Sequence, residues 1–166
     1  MAIMSWQRRE NYHRKTGHKK QGYTLRLYFN EWFESANGFL RQYKHAVNDG
    51  DLKIAVFLLH QAAERYFMTI LLVFTDYKPR THDLEDLNRQ AGYVDVRFKT
   101  IFPNQTEEEK RLFTILVKAY IDSRYKLGYT IAAEDLQWLA ARVVKLKELT
   151  EMACVGRIEG FGVIGS

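Results

Sequence analysis

The sequence predicts an all-α fold, an antiparallel four-helix up-and-down bundle with one additional short helix. Two observations carry this. Apolar residues recur at spacings of three and four through most of the chain, and no segment keeps the period of two that a half-buried strand requires. The 166 residues are 46% hydrophobic and contain only two prolines, which leaves room for long uninterrupted helices around one core.

The elements follow in order. From Tyr23 to about Val47 the run Tyr-Thr-Leu-Arg-Leu-Tyr-Phe-Asn-Glu-Trp-Phe has the spacing of an amphipathic helix. Asn48 to Asp51 reads as a turn, with Asp51 capping a second, more hydrophobic helix from Leu52 to about Phe74. Asp76 to Pro79 stops that helix, because proline disfavours helical geometry in the residue before it. Thr81 is the expected cap of a short helix through Leu84 and Leu87 to Ala91, with Gly92 as its stop. Tyr93 to Pro103 reads as irregular. Thr106 and Glu109 have the spacing of a capping box, so a fourth helix should start there and turn Leu112, Phe113, Leu116, Ala119 and Tyr120 inward until Gly128. Thr130 opens the last helix, with Glu134 and Asp135 suited to its first turn.

Charge divides the chain. Residues 1–20 hold Arg8, Arg9, Arg14, Lys15, Lys19 and Lys20 against Glu10 alone, a net of plus five that accounts for the whole formal charge of +5. The first 22 residues therefore read as a basic, flexible arm, a solvated segment or linker remnant before a weak holder of phosphates by counterion release, residues 23–153 as the bundle, and residues 154–166 as a frayed glycine-rich tail. Cys154 is the only cysteine, which excludes an internal disulfide, a paired-thiol redox motif and a thiolate zinc cluster, and favours a reducing, cytoplasmic setting. No metal ligand set and no cofactor motif is found. No start of the signal-peptide type and no apolar run of membrane-spanning length is read, so no membrane association is expected.

Three groups of residues interrupt the apolar pattern. On the second helix, steps of about 100° place Ala62, Ala63, Tyr66, Ile70, Val73 and Phe74 on one face, with Gln61 and Arg65 opposite toward solvent. His60 and Glu64, one turn apart, join neither side. They alternate with Phe57, Phe67 and Leu71 along a second, partly buried edge, where burial demands a hydrogen-bond partner. Such a pair is either a polar site entered from that seam or a support for the bundle. On the fourth helix Leu116, Tyr120 and Arg124 step by four, with Asp122, Tyr125, Lys126 and Tyr129 around them. Arginine clamps phosphate and tyrosine stacks on a base, so the cluster suits a nucleotide, although a structural arginine paired with a carboxylate has the same signature. The loop Lys78-Pro79-Arg80-Thr81-His82-Asp83 sets two cations, a hydroxyl and an imidazole beside a helix start whose free amides favour anions.

These same segments resemble a known family. The run Phe57-Leu-Leu-His-Gln-Ala-Ala-Glu64-Arg-Tyr-Phe, then Lys78-Pro-Arg-Thr-His-Asp-Leu84, then Ala119-Tyr-Ile-Asp-Ser-Arg-Tyr125, is similar in order and spacing to the HEPN domain, within residues 24 to 152. The similarity is greatest to HEPN domains that accompany, or are fused to, minimal nucleotidyltransferases. It implies a HEPN-like dimerising bundle whose polar residues face a groove with roles in nucleotide or RNA binding. Carried over by position, the nucleotide-binding candidates are His60, Glu64, Lys78, Thr81, His82, Asp83, Tyr120, Arg124 and Tyr125.

One departure bears on catalysis. Ribonucleases of this family resemble one another in carrying a histidine four to six residues after an arginine near the fourth helix, whereas Arg124 is followed by Tyr-Lys-Leu-Gly-Tyr-Thr. Arg8 and His13 have that spacing, but outside the expected bundle. Metal-independent RNA cleavage needs an imidazole for the 2′-hydroxyl proton and a cation for the phosphate. The expectation is a non-catalytic module that binds a nucleotide or short RNA as a homodimer and acts with a nucleotidyltransferase partner or fused domain. The rivals are a ribonuclease toxin of a toxin-antitoxin pair with an altered active site, and a dimeric scaffold with no small ligand.

Overall fold

A computed structural model describes the backbone of residues 2–163, with the side chains of Arg8, Asn11 and the residues from Arg14 onward. The side chain of His13 lies outside the described residues. Among the described residues there are five α-helices and one 3-10 turn: α1 (Ala2–Asn48), α2 (Leu52–Thr75), α3 (Leu84–Val94), the turn Val96–Thr100, α4 (Glu107–Tyr125) and α5 (Ala133–Glu159). No strand occurs among the described residues.

α2 is the axis of the bundle. Its Ala55, Val56, Leu59, Ala62, Ala63, Tyr66, Phe67, Ile70 and Val73 are fully buried, and α1, α3, α4 and α5 all pack on it. It is the one described helix long and apolar enough to cross a bilayer, yet those apolar residues are spent on the core. The short turn at Gly50, whose φ of 77° favours glycine, sends α2 back along α1. Asp51 caps α2 by accepting from the Ile54 amide at 3.1 Å. Deep between the helices, Tyr66 donates to Asn37 Oδ1 at 2.6 Å, which gives the buried phenol its partner, and burial raises its pKa.

The ends of α2 and α5 meet. Arg157 donates from Nε to the Val73 carbonyl at 3.1 Å and from Nη2 to the Phe74 carbonyl at 3.4 Å, which satisfies carbonyls that the last turn of α2 leaves open. α5 thus runs alongside α2 in the same direction, as an up-and-down order requires of the second and last long helices.

Several boundaries differ from the sequence expectation. α1 begins at Ala2 rather than Tyr23, so the arm expected over residues 1–22 is helical from Ala2 onward. Part of it is also packed, since the His18 ring lies 4.5 Å from that of Phe161, and a Cβ on Gly22 would stand 2.6 Å from the Phe161 Cβ. Residues 154–159 extend α5 instead of fraying, because Cys154 and Ile158 are fully buried. α3 is capped by Asp83, which accepts from the Glu85 amide at 3.0 Å, while Thr81 accepts from the Asp83 amide within the loop. It continues past Gly92 to Val94. The last helix opens at Ala133, after residues 126–132, and Asp135 is tied to Arg111 of α4 by two bonds of 3.0 Å. The expected box at Thr106 and Glu109 is present in full.

Candidate functional site

The site begins with the seam on α2. His60 is 1% exposed, and the Glu64 side chain 12%. Burial first, and then the charges of His82 and Arg124, lower the His60 pKa to about 4, so its imidazole is neutral at pH 7. The 4.0 Å separation between His60 Nδ1 and the Glu64 carboxylate is therefore not an ion pair. His60 Nδ1 instead lies 3.3 Å from the Gln61 side-chain amide nitrogen, which donates to it and leaves the proton on Nε2.

Glu64 turns to a different element. His82, on the loop before α3, donates from Nδ1 to Glu64 Oε1 at 2.8 Å. Asp83 is the next residue and caps α3, so the histidine is fixed from two directions. The bond commits Nδ1 to the carboxylate and leaves Nε2 of a mostly exposed imidazole for other partners.

α4 supplies the opposite wall. Tyr120 lies with its ring centroid 5.7 Å from that of His60 and 6.0 Å from that of Phe57. Together His60, His82, Asp83, Val117, Lys118, Tyr120, Ile121, Asp122 and Lys126 line an open groove of about 790 Å³. Lys118 and Asp122 of α4 and Lys126 just after it step by four and also border a second hollow, of about 500 Å³, between α4 and residues 128–132. Two lysines and two aspartates face the first groove, with apolar surface from Val117 and Ile121 between them.

Of the residues singled out in the sequence, His60, His82, Asp83 and Tyr120 are brought together here, and Glu64 stands behind His82. Arg124 is not a lining residue of the groove. It donates from Nε to the Tyr120 carbonyl at 2.8 Å and its guanidinium lies 4.0 Å from the Tyr120 ring centroid, between the rings of Phe57 and Tyr125. Tyr125 is 71% exposed on the same ridge. Lys78 stands elsewhere, with its ammonium 4.7 Å from the Trp32 ring of α1, and Thr81 is used within its own loop. Arg65, expected to point to solvent, lies over the rings of Trp32 and Phe39. Lys118 and Ile121 were not singled out, though the regular step from Lys118 to Asp122 to Lys126 is visible in the sequence. Among the described residues no cluster of three or more histidine, cysteine or acidic side chains is placed to hold a metal ion.

The comparison with known families decides the membership. Residues 29–152, three quarters of the chain, match the family model of the HEPN domain. The chain belongs to the HEPN domain family. The crystal structure of an archaeal HEPN homologue is similar at 20% identity with a TM-score of 0.51, and the match covers 76% of this chain and 97% of that one, a likeness of fold. A search of curated proteins finds no match. The HEPN match contains every residue of the groove and all three motif blocks, while the N-terminal part of α1 lies before it.

Proposed function

We propose that this HEPN domain binds a nucleotide or a short single-stranded RNA in the groove between α2, α4 and the loop before α3. One observation carries the reading. Glu64, nearly buried, holds His82 from another element at the rim of a groove that also takes in His60, Tyr120 and two lysines. Lys118 and Lys126 would meet phosphate oxygens, Tyr120 would stack on a base, and Asp83 or Asp122 would accept from the hydroxyls or amines of a nucleoside. Arg124 acts as a positioning residue, since it holds the ring of Tyr120 from behind.

Tyr125 and Leu127 leave apolar surface exposed beside the groove, Leu127 almost completely, which favours a homodimer that covers this ridge. The domain acts in the cytoplasm with a nucleotidyltransferase, a partner that the motif blocks support by resemblance alone. Its own role in this reading is binding and not catalysis.

A second reading, a ribonuclease with an altered site, has one observation in its favour. The carboxylate on His82 Nδ1 leaves Nε2 outward, as a general base requires. Prolonged incubation of RNA with purified wild-type and His82→Ala protein separates the two, because only the second reading expects cleavage that the substitution abolishes.

The direct experiment is a thermal-shift screen against a nucleotide panel and short RNA oligomers, repeated with His82→Ala and with Lys118→Ala/Lys126→Ala. A ligand at about one hundred times its Kd stabilises the folded state by about 2.7 kcal/mol. Selective stabilisation that disappears in both variants is the expected result. No stabilisation by any nucleotide or RNA at millimolar concentration would leave the scaffold reading in its place.

A further inference from the structure

The N-terminal part of α1 lies before the HEPN match and outside the groove, and it carries most of the unbalanced charge. From Asn11 to Asn30 there is no acidic residue, but there are Arg14, Lys15, Lys19, Lys20 and Arg26. Because this stretch is one continuous helix rather than a coil, the positions of these cations are set by helical geometry. Arg8, Lys15, Lys19 and Arg26 follow one another at steps of seven, four and seven, which in a helix of 3.6 residues per turn keeps them on one line. Arg8, Lys15 and Lys19 are exposed, and Arg14 and Lys20 flank the line on either side, also exposed. Among the described residues none of these five enters an ion pair.

Arg26 closes the line partly buried, with Nε and Nη2 shielded from solvent and without a hydrogen-bond partner, so a phosphate would reach it at Nη1. One further feature points to a ligand. Tyr23, 60% exposed, lies one turn from both Lys19 and Arg26 and presents an aromatic face among the cations. Cations at regular rise with an aromatic between them match a single-stranded nucleic acid, whose phosphates take the charges and whose bases stack. A lipid surface fits less well. A helix lying in a bilayer interface needs one apolar and one cationic side, whereas here Arg14 and Lys20 spread the charge around the helix and the apolar face from Leu25 through Leu40 is buried in the core.

We propose that the line Arg8, Lys15, Lys19 and Arg26, with Tyr23 beside it, is a binding surface for the phosphodiester backbone of single-stranded nucleic acid, separate from the groove. It recognises charge and stacking rather than sequence. It does not depend on the groove binding anything.

The test uses the full chain and fluorescence anisotropy with labelled oligouridine and oligothymidine of about twenty nucleotides, a length that outreaches the surface, over a range of salt. A variant Arg8→Gln/Lys15→Gln/Lys19→Gln removes three exposed cations, and circular dichroism reports whether the helix content is kept. The log-log salt slope should fall by about 2, at about 0.7 for each phosphate no longer neutralised, and affinity at about 50 mM salt should drop at least about tenfold for both oligomers. Tyr23→Ala should weaken binding with the slope unchanged. Equal binding of the two oligomers assigns the surface to the backbone, and binding of oligouridine alone assigns it to RNA through the 2′-hydroxyl. Wild-type slopes retained in the triple variant, or binding of phosphatidylserine vesicles without binding of either oligomer, would overturn the proposal. Nucleotide stabilisation through the groove should be the same in the triple variant and the wild type, so failure of one site is distinguishable from failure of the other.

Discussion

Glu64 and His82 are eighteen residues apart and belong to different elements, yet His82 Nδ1 reaches Glu64 Oε1 at 2.8 Å. The bond joins the central helix to the loop that opens α3. It orients the imidazole more than it stabilises the fold, since the His82 side chain is 71% exposed and solvent screens the pair.

Glu64→Gln should therefore leave the fold intact, with a loss of less than about 1 kcal/mol in chemical denaturation. Binding in the groove should suffer more. If Glu64 acts by orienting His82, the double variant Glu64→Gln/His82→Ala binds its ligand no worse than His82→Ala alone, and a double-mutant cycle measures the coupling. Losses that simply add would separate the two residues.

Arg157 offers a prediction about geometry. Its two bonds to the Val73 and Phe74 carbonyls use the fork of the guanidinium, and its flat face lies 4.9 Å from the Phe74 ring centroid. A lysine has the charge without the fork or the plane. Arg157→Lys should cost about 1 to 2 kcal/mol, close to the effect of Arg157→Ala, and amide exchange should accelerate in the last turn of α2.

These contrasts explain what was legible in the sequence. The box at Thr106 and Glu109 and the cap at Asp51 are local, so a few residues suffice to read them. The His60 and Glu64 seam was legible because 100° steps on one helix place both residues beside Phe67 and Leu71. Helical position does not say which neighbour arrives, however. Lys78 and Arg65 meet Trp32 of α1, and Arg124 turns back on the ring of Tyr120, so three cations that looked available for phosphate or solvent are engaged with aromatic rings. The early start of α1 was hidden for the same reason. A charged stretch without proline gives no sign that residues 161–163, far along the chain, will pack beside it.

Gly22 and Gly156 have opposite expectations although both lie inside helices. A Cβ at Gly22 would meet the Phe161 Cβ at 2.6 Å and the Val163 Cγ2 at 2.8 Å, so Gly22→Ala should displace the segment after α5 and cost about 1 to 3 kcal/mol. At Gly156 a Cβ meets nothing within 4 Å, and Gly156→Ala should stabilise by up to about 1 kcal/mol through helix propensity. Thermal denaturation of the two variants checks both, as about 2 to 4 °C accompanies each kcal/mol at this size. Equal shifts would contradict the close approach at Gly22.

His60 makes stability depend on pH, with a sign set by its burial. The folded state holds this imidazole neutral down to a pKa of about 4, while the unfolded chain takes up a proton near the ordinary value of about 6.5. Between those values the unfolded state binds more protons, so acid favours unfolding. The contribution of His60 is fully present above pH 6.5, declines as pH falls through the window, and levels off below about 4, for a total on the order of 3 kcal/mol. His60→Gln keeps polar atoms on the seam without a group that titrates. Urea denaturation at pH 7 and at pH 4.5 should show wild-type stability falling by more than that of the variant, with the difference confined to this window. Parallel losses in the two proteins would mean that carboxylates elsewhere set the acid limit and that the folded state accepts a proton on His60 without penalty.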